Sequence, residues 1–539
     1  MTTRFPAIIA AADSFNTIRD SGLALYQRIE QAFDRPFGAT LNPWRHLGAL
    51  GFLFFWIVAV TGFYLFAVLD TSVEGVYSSI DWLTREQWYL GGIIRSLHRY
   101  SADAFIVITL LHLTREFLLG RYSGFRRFSW LTGVPLLWFA YISGVGGFWL
   151  NWDQLGQFSA VASAEWLDWL PIFATPFTRN FLAAASVSDR LFTLLVFVHI
   201  GVPLLLLFGL WFHVQRINRA EVFPPRALGL GTLATLLALA LALPVVSQGR
   251  ADLAVVPGPL ALDWFYLFLH PLMYVSSPAS VWTLVAAITL LLLVLPFLPI
   301  SDRAAPIAVV DPDNCNGCRR CFDDCPYAAI VMVPHPQATQ GKPDQQLARV
   351  IPDLCASCGI CAGSCPSSTP FRNVATLATG IDMPQSPVDA LRQALRGKLA
   401  AIGGDRKIAV FGCDHGAAVD TLSGPEVASF SLVCTGMLPP AFVEYALREG
   451  AAGVLVTGCR ESGCAFRLGS RWTEERLLGR REPHLRANVP RERLCIAWAN
   501  PGDEPELLET LTEFRRRLGI LQATTLDDIS PEGTSHAHI

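Results

Sequence analysis

Six stretches in the first three hundred residues are apolar with few interruptions: 46–69, 91–119, 128–150, 189–217, 227–247 and 278–299. Each is long enough to cross a hydrocarbon layer of about 30 Å, so the pattern predicts six membrane-spanning helices. Ahead of them, residues 15–34 mix apolar and charged positions at helical spacing, which predicts an amphipathic helix on the membrane surface. A plain solvated helix would show the same pattern. After Pro299 the long apolar runs stop. Residues 373–404 read as a linker with one helical patch. Lys407–Phe411 and Ala451–Gly458 read as buried strands on either side of a helical 440–449, a βαβ pattern that predicts a small parallel sheet.

The expected divisions are therefore an N-terminal amphipathic segment (1–45), four spanning helices (46–220), two more with an outer loop (221–300), a cysteine-rich segment (301–372), a linker (373–405), an α/β domain (406–525) and a tail (526–539). Six spans put both termini on one side. Arg121, Arg126 and Arg127 fill the second loop and Arg216, Arg219 and Arg226 the fourth, while the remaining loops carry mainly Arg85, Arg179 and Arg250. The positive-inside bias then makes both termini cytoplasmic. The first 40 residues carry Arg4, Arg19, Arg28 and Arg35 and no apolar core leading to a cleavage site, so no signal peptide is expected.

Composition narrows the class. With 52% hydrophobic and only 16% charged residues, the 539-residue chain is too apolar to be wholly soluble. The net charge of −3 decides nothing about nucleic acid, but the basic residues form no clustered stripe of the kind a phosphate backbone needs, so no nucleic-acid partner is expected. All 13 cysteines lie after residue 314, twelve of them in spacings that suit metal better than disulfides, which places that half in a reducing cytoplasm.

The candidate chemistry begins with histidines. His98 and His112 lie 14 residues apart in one apolar run, as do His199 and His213 in another. That separation is about 21 Å on a helix, with both side chains near one face. If the two helices run side by side, His98 meets His199 and His112 meets His213, and each pair can clamp one haem iron. Gly48 and Gly62, and Gly133 and Gly147, repeat the same spacing. Glycine in a helix costs roughly 1 kcal/mol against alanine, and close approach of a flat macrocycle is a reason to keep it. Satisfied interior histidines and helix-packing glycines are the alternative. Intramembrane ionisable residues are costly and usually functional, which favours haem.

With these features, residues 20–300 resemble cytochrome b of the bc-type quinol-oxidising complexes. The resemblance implies two b haems, propionates neutralised by Arg95 and Arg115, a quinol-site stretch at Gly147-Phe-Trp-Leu-Asn-Trp-Asp-Gln154, and a homodimer. Leu262-Asp263-Trp264-Phe265 stands where that family carries Pro-Glu-Trp-Tyr in its outer quinol site, so Asp263 and Trp264 are the catalytic candidates. A structural loop is the alternative. Near the inner haem only Arg216 and Asn218 stand as polar candidates, too little to predict an inner quinone site.

Cys315-x2-Cys318-x2-Cys321-x3-Cys325-Pro326 recurs as Cys355-x2-Cys358-x2-Cys361-x3-Cys365-Pro366. In this pattern three thiolates hold one cubane and the fourth reaches to the other. One [4Fe–4S] cluster takes Cys315, Cys318, Cys321 and Cys365; the second takes Cys355, Cys358, Cys361 and Cys325. Zinc is the alternative. Residues 305–372 resemble a bacterial two-cluster ferredoxin, an α+β fold, with a polar insertion at Gln337–Gln346. Farther on, Cys413, Cys434, Cys459 and Cys464 lie beside strand ends, where parallel sheets place their chemistry. Four thiolates fit a [2Fe–2S] cluster, with zinc or free thiols as alternatives. Thr457-Gly-Cys459-Arg-Glu-Ser-Gly-Cys464 resembles the delta subunit of methyl-viologen-reducing hydrogenases over residues 406–520, although that family's Cys-x-x-Cys opening has Gly416 in its second place. Cys495 is expected to be an ordinary buried thiol, and the histidines of the tail to be solvated.

The expectation is a multi-pass protein of a bacterial or archaeal cytoplasmic membrane, the electron-transfer subunit of a quinone-linked oxidoreductase. It would link quinone to a cytoplasmic flavoprotein or a heterodisulfide-reductase- or hydrogenase-like partner. The alternative is a ferredoxin-type docking subunit on a structural membrane anchor.

Overall fold

Long apolar runs become helices because only a helix satisfies every backbone amide within one segment. The computed structural model describes residues 6–172, 182, 187–217, 220–298, 306–336 and 345–527. Arg179, Asn218, Arg219, Pro299, residues 337–344 of the polar insertion and the tail beyond 527 lie outside the described residues. The chain divides into two compact units, 1–215 with 220–302, and 303–539 with 216–219.

The first unit is helical: α1 (Pro6–Leu41), α2 (Leu47–Val68), α3 (Gly75–Arg85), α4 (Ile93–Leu118), α5 (Arg127–Asn151), α6 (Gln154–Asp168), α7 (Asp189–Val214), α8 (Arg226–Ala242), α9 (Leu269–Val275) and α10 (Pro278–Val294). Helix α2 packs along α4, and α5 along α7. Among the described residues, four helical stretches are both long and apolar enough to cross a membrane: Leu47–Val68, Gly124–Asn151, Asp189–Val214 and Pro278–Phe297. Helix α4 has the length but carries Arg95, Arg99, Asp103, Arg115 and Glu116. Helix α8 has 17 residues, and stops at Ala242 rather than the predicted 247 because Pro244 disfavours helical backbone just before it. The N-terminal helix runs well beyond the predicted 15–34 and breaks at Gly38, whose φ of 69° is left-handed.

Short helices α3, α6 and α9 were not legible as separate elements. Helix α3 is held by Val76, Ile80 and Leu83, all buried, and α6 starts where Asp153 accepts the Gly156 amide at 2.9 Å. Leu50, Phe54, Leu97, Phe105, Leu136 and Leu206 form the shared core. Phe63, Phe197, Leu204, Phe208, Leu230 and Leu290 point outward and are exposed. Such an apolar exterior matches lipid rather than water.

In the second unit, β1 (Val309–Val310) pairs antiparallel with β4 (Ile381–Asp382), and β2 (Ile330–Pro334) with β3 (Gln346–Val350). The two cysteine repeats fold alike: a 3-10 turn, a loop, then a single helical turn at Arg320–Asp324 or Ile360–Ser364. Both loops need left-handed backbone at the same two places, Gly317 and Arg319 in the first, Ser357 and Gly359 in the second.

Strands β5 (Ile408–Cys413), β6 (Val427–Leu432), β7 (Gly453–Gly458) and β8 (Leu494–Trp498) form the expected parallel sheet in the order β6-β5-β7-β8. Ile408 registers with both Val427 and Gly453. On one side of it, the stretch expected as a linker supplies β4 and a helix, Val388–Ala401, whose Leu391, Leu395 and Leu399 pack with Phe430 and Phe442. On the other side, Leu507, Leu511, Phe514 and Leu518 of the helix Glu504–Asp527 cover Ile408, Val410 and Leu455. Cys495 lies half-buried on β8 with this second core.

Candidate functional site

The α2–α4 and α5–α7 pairings bring the predicted residues together at two levels. At one, the His98 and His199 ring centres are 6.4 Å apart. An atom bonded to both rings at about 2.0 Å, with roughly 1.1 Å from nitrogen to ring centre, would hold the centres about 6.2 Å apart. His112 and His213 stand at the other level, close enough to interact electrostatically. The glycines flank the histidines directly. A Cβ on Gly62 would lie 3.2 Å from His98 Cε1, on Gly147 3.2 Å from His199, on Gly48 3.4 Å from His112 and on Gly133 3.4 Å from His213. Each level thus reads Gly–His–His–Gly, with bare glycine backbone behind each imidazole.

Two threonines set the rings. Thr61 Oγ1 lies 3.1 Å from His98 Nδ1, and Thr132 Oγ1 3.0 Å from His213 Nδ1. The Val58 carbonyl is also 3.1 Å from His98 Nδ1. Engaging Nδ1 leaves Nε2 to face the partner ring, the orientation that a metal-binding histidine requires. These residues fit a bis-imidazole haem at each level.

The two arginines differ. Arg95 is buried and donates only to neutral acceptors: Thr84 Oγ1 at 2.6 Å, Ser247 Oγ at 2.9 Å and Asn151 Oδ1 at 3.0 Å. Its charge is free to meet a carboxylate of a ligand. Arg115 already lies 3.6 Å from Glu30 and 3.4 Å from Glu116. Glu30 also meets Arg45 at 3.8 Å, so α1 is tied to α4 by charge.

The ferredoxin-type thiols surround two cavities. Cys315, Cys318, Cys321 and Cys365 line one, and Cys325, Cys355, Cys358 and Cys361 line the other. The crossing of Cys325 and Cys365 is the exchange expected from the repeat. Among the described residues no three histidine, cysteine or acidic side chains converge to hold a single metal ion. Sulfurs spread around a cavity suit a multinuclear cluster better than one zinc. Cys318 of the first site is exposed, whereas Cys358 and Cys361 of the second are buried. Burial pushes the Cys321 thiol up to about 12 and raises Cys358 and Cys361 as well, so metal must displace protons there.

Cys413, Cys434, Cys459 and Cys464 form a third buried set. Cys413 ends β5 rather than following it, and Cys434 and Cys459 come just after β6 and β7. This is the switch point of the sheet, where chain order reverses across β5. Cys413 takes hydrogen bonds from the Cys434 and Cys459 thiols and is pulled down, while Cys434 is pushed up. A Cβ on Gly416 would lie 2.9 Å from the Cys459 amide nitrogen. Its backbone approach leaves no room for a cysteine there.

Comparison with known families agrees with this order of sites. Residues 32–220 match the model of Cytochrome b/b6/petB, 307–369 that of a 4Fe-4S dicluster domain, and 407–521 that of the delta subunit of methyl-viologen-reducing hydrogenase. Three family models match successive segments of this chain. Among solved structures it is similar to a chain described as Hyperthermophilic respiratory Complex III, at 20% identity and a TM-score of 0.39 over 47% of this chain and 74% of that one. It is a membrane electron-transfer protein.

The cytochrome b match ends before the outer loop. There Asp263 is buried and fully engaged: Oδ1 accepts the Phe265 and Tyr266 amides at 2.9 and 2.7 Å, and Oδ2 pairs with Arg99. Trp264 is exposed. Arg99 also pairs with Asp103 and lies 4.6 Å from the Phe148 ring centre, within the expected quinol-site stretch. Arg99, Thr61 and Thr132 were not foreseen. The threonines gave no signal because each also bonds a carbonyl of its own helix, as an ordinary helical threonine does.

Proposed function

We propose that this chain carries electrons between quinone in the membrane and a soluble cytoplasmic redox partner, through two b haems, two [4Fe–4S] clusters and one [2Fe–2S] cluster. The observation that carries the reading is the double Gly–His–His–Gly arrangement in a helix bundle whose chain continues into two four-thiol cavities. Bound haem and iron–sulfur clusters supply reversible one-electron steps. The residues do the rest. His98 with His199 and His112 with His213 hold the haems, Thr61 and Thr132 fix ring orientation, and Arg95 meets a propionate. Arg115, paired twice with glutamate, serves the same end less directly. Cys315, Cys318, Cys321 and Cys365 hold the first cubane; Cys355, Cys358, Cys361 and Cys325 hold the second. Cys413, Cys434, Cys459 and Cys464 hold the two-iron cluster. Six spans, with α4 and α8 among them, place both termini and all clusters in the cytoplasm, and pairs of chains form a homodimer.

The engagement of Asp263 by Arg99 supports a second reading, in which the bundle anchors the iron–sulfur unit without quinone chemistry. The two readings separate in one experiment. Purified protein is assayed for haem and iron, then mixed anaerobically with a quinol while the haem bands are followed. Two haems per chain, with absorbance changes on quinol addition, support the first reading. Haem that no quinol or quinone can reduce or oxidise supports the anchor.

A further inference from the structure

Within the second unit, the second cubane site and the third thiol set share a wall. The backbone of 359–364 lies against 434–437 so closely that a Cβ on Gly359 would sit 2.9 Å from Met437 Cβ, and one on Gly436 2.7 Å from Ile360 Cγ1. Arg476 crosses this wall. It is 1% exposed, donates through Nη1 to the Gly436 carbonyl at 2.8 Å, and through Nη2 reaches Asp324 and Ser364. Ser364 immediately precedes Cys365 and Asp324 immediately precedes Cys325, while Gly436 stands two residues after Cys434. Asp324 divides its charge: Oδ1 also accepts Arg481 Nη2 at 2.6 Å, and Arg481 stacks 3.4 Å over Trp472. Arg476 Nε is buried without a hydrogen-bond partner. A guanidinium in this position is compensated on one side only, and its field reaches Cys434.

On the reading of three clusters given above, we infer that Arg476 is a positioning residue that raises the reduction potentials of the second cubane and the third cluster together, so that electrons cross the wall between them directly. A fixed positive charge favours the state with one more electron, and a buried site with few water dipoles strengthens that effect. One electron lost at one site is gained at the other, and no bond forms or breaks. The first cubane site touches this wall only through Cys365, next to Ser364, and its Cys318 is exposed to water, so the effect there is weaker.

The test is an EPR-monitored redox titration of the full-length protein and its variants, with iron and haem measured on every sample. In Arg476→Gln the midpoints of two of the three clusters should fall, by about a tenfold change in occupancy, which is 59 mV for a one-electron couple, while the first cubane moves less and the haems stay put. Asp324→Asn leaves the guanidinium without its carboxylate and should move the same two midpoints upward. Unmoved midpoints at full iron content, or an equal shift at the first cubane, would overturn the inference. If Arg476→Gln loses iron, the neutral Arg476→Met is read in its place: a fall of the same two midpoints at full iron content supports the inference, and unmoved midpoints reject it. Wild-type iron too low for three clusters would reject the cofactor reading instead.

Discussion

Each histidine in the bundle is defined by what stands behind it. His213→Ala should remove one haem and leave the other, halving the pyridine haemochrome value, because the pair at the other level shares none of its ligands. Two haems persisting in the variant would reject the pairing. Thr132→Val tests orientation separately. It deletes the 3.0 Å contact to His213 Nδ1 while keeping shape, and loss of such a partner typically costs 10- to 100-fold in metal affinity. Both haems should be present after purification, with one transferring to apomyoglobin at least about tenfold faster than in wild type; equal rates would mean that the threonine only packs. The histidines were legible because a 14-residue repeat survives in one dimension. Arg99 was not, since its partner Asp263 lies 164 residues away, and no local pattern announces a contact of that range.

Elements were legible in proportion to how far their own sequence decides them. Apolar length predicted the long helices to within a few residues, and continuous β-branched runs predicted β5 and β7. The helix Val388–Ala401 looked like part of a linker because its charged face dominates the sequence, whereas Leu391, Leu395 and Leu399 find their partners on a sheet that begins after it. The cysteine repeats show the opposite limit. Their spacing predicted which thiols share a cavity, but not that Arg319 and Ser357 must adopt left-handed backbone, at φ of 66° and 59°. For an L-residue that conformation costs roughly 1–2 kcal/mol. Arg319→Gly and Ser357→Gly should therefore each raise the melting temperature of the iron-loaded protein by a few degrees. A fall in both would show that the side chains support the loops more than the backbone strains them. Gly363→Ala should act in reverse: its Cβ would meet the Gly436 carbonyl and lower stability by about 1–3 kcal/mol, seen as an earlier thermal transition.

At the scale of the whole molecule, the arginine distribution and the proposed quinone site set the direction of flow. If quinone reacts at the outer face and the clusters lie inside, each electron crosses most of the membrane potential, at about 2.3 kcal/mol per 100 mV. That field favours electrons moving outward from a cytoplasmic donor to quinone. In sealed inside-out vesicles fed by such a donor, quinone reduction should slow when an uncoupler is added; acceleration would place the quinone site, or the direction, the other way round.

The contact between Arg476 and Asp324 also limits how this protein could have been assembled and can be taken apart. A dicluster segment borrowed from another chain, with no acid in the place of Asp324, would leave a guanidinium shut away from water with nothing to neutralise it, a defect that typically costs 3–5 kcal/mol. What reads along the polypeptide as two separable stretches thus shares one buried charge pair, and an exchange of either stretch has to supply the matching partner.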